Sequence, residues 1–177
     1  MDNRARATDA PWVLALAFDR SVTGIVRTYV PDDVPAESAA AIPLALQAGI
    51  LQPLIESMLR RSPTFRQQCQ RLASPKLGGI SVRYESLKGA RAITEISPVN
   101  GRLNAVVRLG IGDNDVELIA HEIEHIIEQL DGVDLRARSE LPDTGVHSCT
   151  TSRASFETVR ATRAGLKVAQ EFRQNGG

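Results

Sequence analysis

Val116-Glu117-Leu118-Ile119-Ala120-His121-Glu122-Ile123-Glu124-His125-Ile126-Ile127-Glu128-Gln129-Leu130 contains neither proline nor glycine, and its apolar residues recur with the period of an α-helix. Projected at about 100° per residue, Val116, Ile119, Ala120, Ile123, Ile126, Ile127 and Leu130 share one broad stripe, which predicts a helix that turns this face to a core. Asp113-Asn114-Asp115 offers N-cap side chains before it, and Asp131-Gly132 a stop after it. His121 and His125 fall opposite the stripe, among Glu117, Glu124 and Glu128, with Leu118 as their apolar neighbour. A core histidine would lie within the stripe, so the pair reads as either a solvated face or a site.

His121-Glu122-Ile123-Glu124-His125 sets two imidazoles at i and i+4, where both can address one metal ion. Glu122 lies beside them, where a carboxylate can take a proton from water activated by that ion. A catalytic zinc site uses three protein ligands and keeps one position for water, so a third donor must come from elsewhere. Glu128 lies a turn further along the same face, which makes it a supporting or solvated residue. A last helix is expected from about Arg153 to Phe172, capped by Thr151 or Ser152. On it Glu157 falls amid Ala154, Ala161, Ala164, Gly165 and Val168. Burying a carboxylate there costs on the order of several kcal/mol, which a cation would offset. Glu157 is therefore the expected third ligand, with His147, Glu140, Asp143 and Cys149 as alternatives. Without a metal, Arg160 or Arg163 could pair with it.

Upstream the period changes. Gly79–Tyr84, Ala90–Ile96 and Leu103–Leu109 alternate in polarity, with turn signals at Lys88-Gly89 and Asn100-Gly101, and read as an antiparallel meander leading into the histidine-bearing helix. Leu44–Leu59 reads as a helix bent at Pro53, and Ser62-Pro63 launches a second helix to about Leu72. Gly24–Val30 is rich in β-formers and Pro31–Pro35 reads as a loop. The expectation is one α+β domain: residues 1–42 as an N-terminal extension packed on a domain of residues 43–177. In that domain a small antiparallel or mixed sheet packs on the central helix, with further helices on either side of it in the chain.

The chain has 177 residues, enough for one substantial core. Lys plus Arg equals Asp plus Glu at 21 each, so no net field favours nucleic acid or an anionic membrane. The charges are nevertheless segregated. Ten acidic residues and two arginines lie between Asp113 and Asp143, against eight basic and two acidic residues from Glu56 to Arg91. Such segments either pack together or frame a divalent cation. Cys69 and Cys149 are too few for a disulfide framework. No apolar run reaches membrane-spanning length. Trp12–Phe18 only faintly resembles a signal segment, since Asp19-Arg20 ends it without a cleavage pattern, and the compartment stays open.

The motif resembles the zincin metallopeptidases, and within them the gluzincin arrangement, in which a glutamate from a later helix joins the two motif histidines. The matching residues are His121, Glu122 and His125, followed after a loop by Glu157 in Ser155-Phe156-Glu157-Thr158-Val159-Arg160-Ala161. Glu117–His125, continuing through Glu128-Gln129-Leu130-Asp131-Gly132-Val133, is also similar to small bacterial proteins of that type, and the specific part spans roughly residues 100 to 172. The chain lacks the glycine and third histidine of metzincins, and the asparagine-glutamate signature of thermolysin-like enzymes around Glu157.

The resemblance implies one catalytic Zn2+ held by His121, His125 and Glu157, Glu122 as general base, and a peptide or protein substrate. It also implies that Leu103–Leu109 borders the cleft, where an extended peptide could add as a strand. An oxyanion donor is needed as well, with Tyr84, His147 and Arg160 available. Three rivals remain: a metal-binding scaffold without turnover, a metal-free helical module, and a di-iron bundle. The last wants a second Glu-x-x-His, which the chain lacks.

Overall fold

A computed structural model of the chain describes residues 45–112, 114–148 and 155–175, and the backbone of residues 12–16. The β-rich piece at 24–30, the connector at 31–35, the caps proposed at Thr151 or Ser152, and Cys149 lie outside the described residues.

Five strands make one mixed sheet: β1 (Trp12–Leu16), β2 (Leu46–Gln47), β3 (Leu77–Tyr84), β4 (Ala92–Val99) and β5 (Arg102–Leu109), in the order β1-β4-β5-β3-β2. β4 and β5 form a hairpin closed by Asn100 and Gly101, whose φ angles of 50° and 74° suit a two-residue type I′ turn. The meander is corrected at β3, which runs parallel to β5 and does not touch β4 in the sheet. Residues 85–91 carry the chain past one strand position, and the hairpin then returns β5 into the gap. β5 is thus an interior strand with both edges bonded, which corrects the expectation that an extended peptide could pair along it. Residues 12–16 of the expected extension pair with β4 as an edge of the sheet.

Leu44–Leu59 is not one bent helix. Leu46-Gln47 is a strand and Gly49–Leu51 a 3-10 turn, and α1 (Gln52–Arg61) begins only then, with Pro53 in its first turn. A proline there forfeits no helical hydrogen bond, so it starts the helix rather than kinking it. Ser62-Pro63 opens α2 (Pro63–Leu72) as its sequence predicts: the Ser62 hydroxyl oxygen accepts from Phe65 N at 3.0 Å.

The central helix, α3 (Asp115–Leu130), packs its apolar stripe on the face of the sheet built by Ile80, Val82, Ala92, Ile96, Ala105, Val107 and Leu109. It ends in a Schellman motif, with Val133 N donating to Glu128 O and Gly132 N to Gln129 O, both at 3.0 Å, and Gly132 at φ 76°. At its start Asn114 occupies the N-cap position in a left-handed conformation, but its side chain makes no capping bond. The polar side of α3 is not solvated. Every residue from Leu118 to Glu128 is buried, because α2 and α5 (Val159–Gln174) cover the face that the sheet leaves free. A short α4 (Leu135–Ser139) follows α3. Among the described residues no helix is long and apolar enough to cross a membrane.

Gly165 sets the spacing of α5 on α3. A Cβ there would lie 2.7 Å from the Glu117 carbonyl oxygen and 3.1 Å from the His121 Cβ. Alanine normally improves a helix by about 1 kcal/mol over glycine. Here the clash is with backbone, and overpacking of about 1–3 kcal/mol outweighs that gain. Gly165→Ala is expected to lower the melting temperature; an increase would mean that α5 does not rest on α3 at this point.

Candidate metal centre

α3 presents His121 and His125 on one face, as the spacing requires. The third donor arrives on a different element from the one expected. Glu157 lies in a short strand, β7 (Phe156–Thr158), paired antiparallel with β6 (Val146–Ser148), and not within the last helix. The helix starts only at Val159, because Thr158 stays extended and its hydroxyl oxygen caps Ala161 N at 3.0 Å. Glu157 is therefore held rigidly one residue ahead of a cap, and α5 carries it against α3.

Nε2 of His121 lies 3.2 Å from Nε2 of His125 and 3.1 Å from Oε1 of Glu157, and the third edge, His125 Nε2 to Glu157 Oε1, is 4.0 Å. His121, His125 and Glu157 are a group whose donor atoms lie close enough to hold one ion. Zinc bonds to histidine nitrogen and carboxylate oxygen at about 2.0–2.1 Å, which calls for donor–donor edges of roughly 3–4 Å. The chemistry fits as well. Two ring nitrogens 3.2 Å apart cannot both carry a proton, and Glu157 Oε2 is buried with no hydrogen-bond partner. A cation would relieve both deficits.

The surrounding carboxylates fix the donors. Nδ1 of His125 is 3.0 Å from Oε2 of Glu128, so Glu128, expected to be either supporting or solvated, is buried and not solvated. A proton on Nδ1 in that hydrogen bond would leave the Nε2 lone pair toward the group. Glu157 Oε1 also accepts from Thr158 N at 3.0 Å and from the Thr162 hydroxyl at 3.3 Å. Glu122 is wholly buried: the Thr94 hydroxyl of β4 donates to Oε2 at 2.5 Å, while Oε1 has no partner. Glu124 points away from the histidines toward α2 and α5. It accepts from Gln68 Nε2 at 2.8 Å and from Arg160 Nε at 2.7 Å, while Arg71 and Arg160 share Asp131. Arg71 and Gln68 belong to the segment rich in bases, so part of the charge segregation is packing complementarity.

Electrostatics within the group follow from this closeness. Burial alone disfavours the charged imidazole of His121, but the Glu157 hydrogen bond and the fields of Glu122, Glu157 and Glu117 outweigh it, leaving its pKa above the ordinary histidine value. Burial pushes the Glu157 carboxyl up, and the hydrogen bond from His121 with the charge of both rings pulls it further down, below the ordinary glutamate value. For Glu122 burial wins, and its pKa is raised despite His121, His125 and Thr94.

The other expected site residues lie further out. His147 is directly opposite Glu157 in the β6–β7 pair, so the two share a face, but it is exposed and not one of the clustered donors. Arg160 is committed to Glu124 and Asp131, and makes no ion pair with Glu157 among those the structure shows. Tyr84 donates to Asp115 at 2.5 Å, at the N-terminal end of α3, and that hydrogen bond raises its phenol to about 12. Glu140 and Asp143 are exposed outside the group. Two cavities, of about 420 and 570 Å³, open near Asn114 and are lined by none of the three donors. Sequence reasoning missed Thr94 and Gln68. Thr94 had a readable sign, as a hydroxyl between Ala92 and Ile96 on the apolar face of a strand.

Comparison of the chain with protein-family models, with curated proteins and with solved structures finds no match.

Two outcomes follow from the site's geometry. Glu128→Gln keeps the shape but removes the charged acceptor on His125, and should weaken zinc binding by roughly 10- to 100-fold in a chelator competition titration. Unchanged affinity would detach Glu128 from the site. The second concerns pH in metal-free protein. The raised His121 pKa gives stability that is complete below the ordinary histidine value of about 6.5 and lost as pH climbs through the folded value. The lowered Glu157 pKa gives stability that is present above about 4.3 and lost as pH falls through its folded value. Chelator-treated protein should therefore melt highest between those values and lose stability on the alkaline side, where zinc restores it. Melting curves that keep rising from about pH 6 to 9 without metal would contradict this.

Proposed function

We propose that the protein is a zinc-dependent hydrolase of peptide bonds, of the zincin type and its gluzincin arrangement. One observation carries the reading: His121, His125 and Glu157 converge from two separate elements, with a buried carboxylate, Glu122, one residue from the first ligand. His121, His125 and Glu157 would hold the ion, which when bound supplies Lewis acidity toward water and a scissile carbonyl.

The chain's own residues do the rest. Glu128 keeps the His125 ring in the tautomer that ligates. Glu122 takes the proton of the attacking water on Oε1 and returns it to the leaving nitrogen. A carboxyl whose pKa is raised by burial suits both steps, since it is neither a very weak base nor a very strong acid. His147, exposed beside Glu157, is the best placed of the three oxyanion donors first considered, because Arg160 and Tyr84 are engaged with carboxylates. Docking of an extended peptide moves from β5 to β1, the terminal strand of the sheet among the described residues.

A specific observation favours a second reading. His121, Glu122 and His125 are at most 3% exposed, a closure that also suits a structural metal site in a scaffold without turnover. Metal content and hydrolysis measured on the same preparations separate the two. Wild type should carry about one zinc per chain. Glu122→Gln should keep the zinc and lose hydrolysis of a mixed peptide pool, whereas Glu157→Ala should weaken metal retention. Zinc bound by wild type with no hydrolysis of any peptide would establish the scaffold reading instead.

A further inference from the structure

The nine buried positions of β3, β4 and β5 are Leu77, Ile80, Val82, Ala92, Thr94, Ile96, Ala105, Val107 and Leu109. Thr94 alone among them is polar. It pairs with Val107 in the adjacent strand and, like it, is fully buried. Valine would fill the same volume and suit a strand equally well. A hydroxyl buried there costs stability unless it is hydrogen-bonded, and its bond goes to Glu122 Oε2, from the sheet up to α3. That bond divides the two carboxylate oxygens. Oε2 is engaged from below, and Oε1 is buried without a partner.

Resting on the hydrolase reading above, we propose that Thr94 is the positioning residue for Glu122. Its hydroxyl pins Oε2, so that Oε1 is the one oxygen presented for proton exchange at the centre. The bond also spans β4 and α3, so it fixes the carboxyl relative to the sheet as well as to its own helix. A carboxylate without that anchor can rotate about its last torsion, which is broad and roughly two-fold, and would offer either oxygen in a poorly defined direction.

The test uses the zinc-loaded full chain with Thr94→Val, which removes the donor at nearly constant volume, and Thr94→Ser, which restores it. Thr94→Val should lower kcat on the peptide pool by roughly 10- to 100-fold, part of the contribution of a well-placed general base, with KM and zinc content unchanged. Thr94→Ser should recover most of that loss. If Thr94→Val does not fold, Thr94→Cys supplies a weaker donor of similar size and should give an intermediate loss. Crystal structures supply a readout independent of turnover: the Glu122 carboxyl should shift or split into two conformers in Thr94→Val and return to one in Thr94→Ser. A carboxyl that keeps one unchanged conformer in Thr94→Val, or a kcat equal to wild type, overturns the positioning role. If wild type hydrolyses nothing while the carboxyl still moves in Thr94→Val, the hydrolase reading fails and the positioning of Glu122 by Thr94 stands.

Discussion

Three carboxylates and two imidazoles of one helix are withdrawn from water, and nearly everything else in this fold answers to them. Glu122, Glu124, Glu128, His121 and His125 are all buried on α3, and an unpartnered buried charge is among the costliest features a protein can carry. Each therefore has an assigned neighbour: Thr94 for Glu122, Gln68 with Arg160 for Glu124, Glu128 for His125, and Glu157 for His121. Apart from Glu128, which lies on α3 itself, those neighbours come from β4, α2, α5 and β7. Satisfying one helix thus dictates how the sheet, two helices and a two-stranded ribbon are arranged around it.

The close approach of α5 makes this arrangement possible. A side chain at Gly165 would strike the Glu117 carbonyl oxygen, so only glycine permits the helix spacing observed. At the N-terminal end of α5, Thr158 caps the helix and leaves Glu157 extended, directed at the histidines. At the second residue of the helix, Arg160 reaches Glu124 and Asp131. The same junction thus delivers an acid to the metal-type donors and a base to the acids behind them. At the other end of α5, Glu171 accepts from Ser62, from Thr64 N and from the Thr64 hydroxyl, tying α5 to the start of α2.

What could be read in advance follows the range of the forces involved. α3, the Ser62 cap and the Asn100-Gly101 turn are local, with period, cap and φ requirement all lying within a few residues of chain. The position of β3 beside β5 is not local, because nothing in Gly79–Tyr84 distinguishes a strand that follows its successor from one that skips it. Glu157 does lie beside the two histidines, but on a strand and not on the expected helix. Ser155–Ala161 is compatible with helix, and only pairing with residues 146–148 and the Thr158 cap hold it extended. The polar stripe of α3 was visible as polar. Its burial was not, since the helices that cover it are distant in sequence.

A helix that merely had to hold this sheet would be better served by apolar residues on every face. Replacing buried ion pairs by well-packed hydrophobic groups of similar volume is often neutral or stabilising. The polar face of α3 therefore detracts from stability compared with a simpler solution to the same packing problem. Its members are also not arranged as they would be for mutual neutralisation alone. Glu124 is neutralised by arginines on its outer side, whereas Glu122 keeps one buried oxygen without a partner, and the two Nε2 atoms lie 3.2 Å apart with Glu157 Oε1 3.1 Å from that of His121. Pairing for stability would have brought a donor to each oxygen and turned the rings apart. Rings set together with an acid 3.1 Å from one of them are an arrangement that packing alone does not require, and it is this departure that makes His121, His125 and Glu157 a candidate metal group.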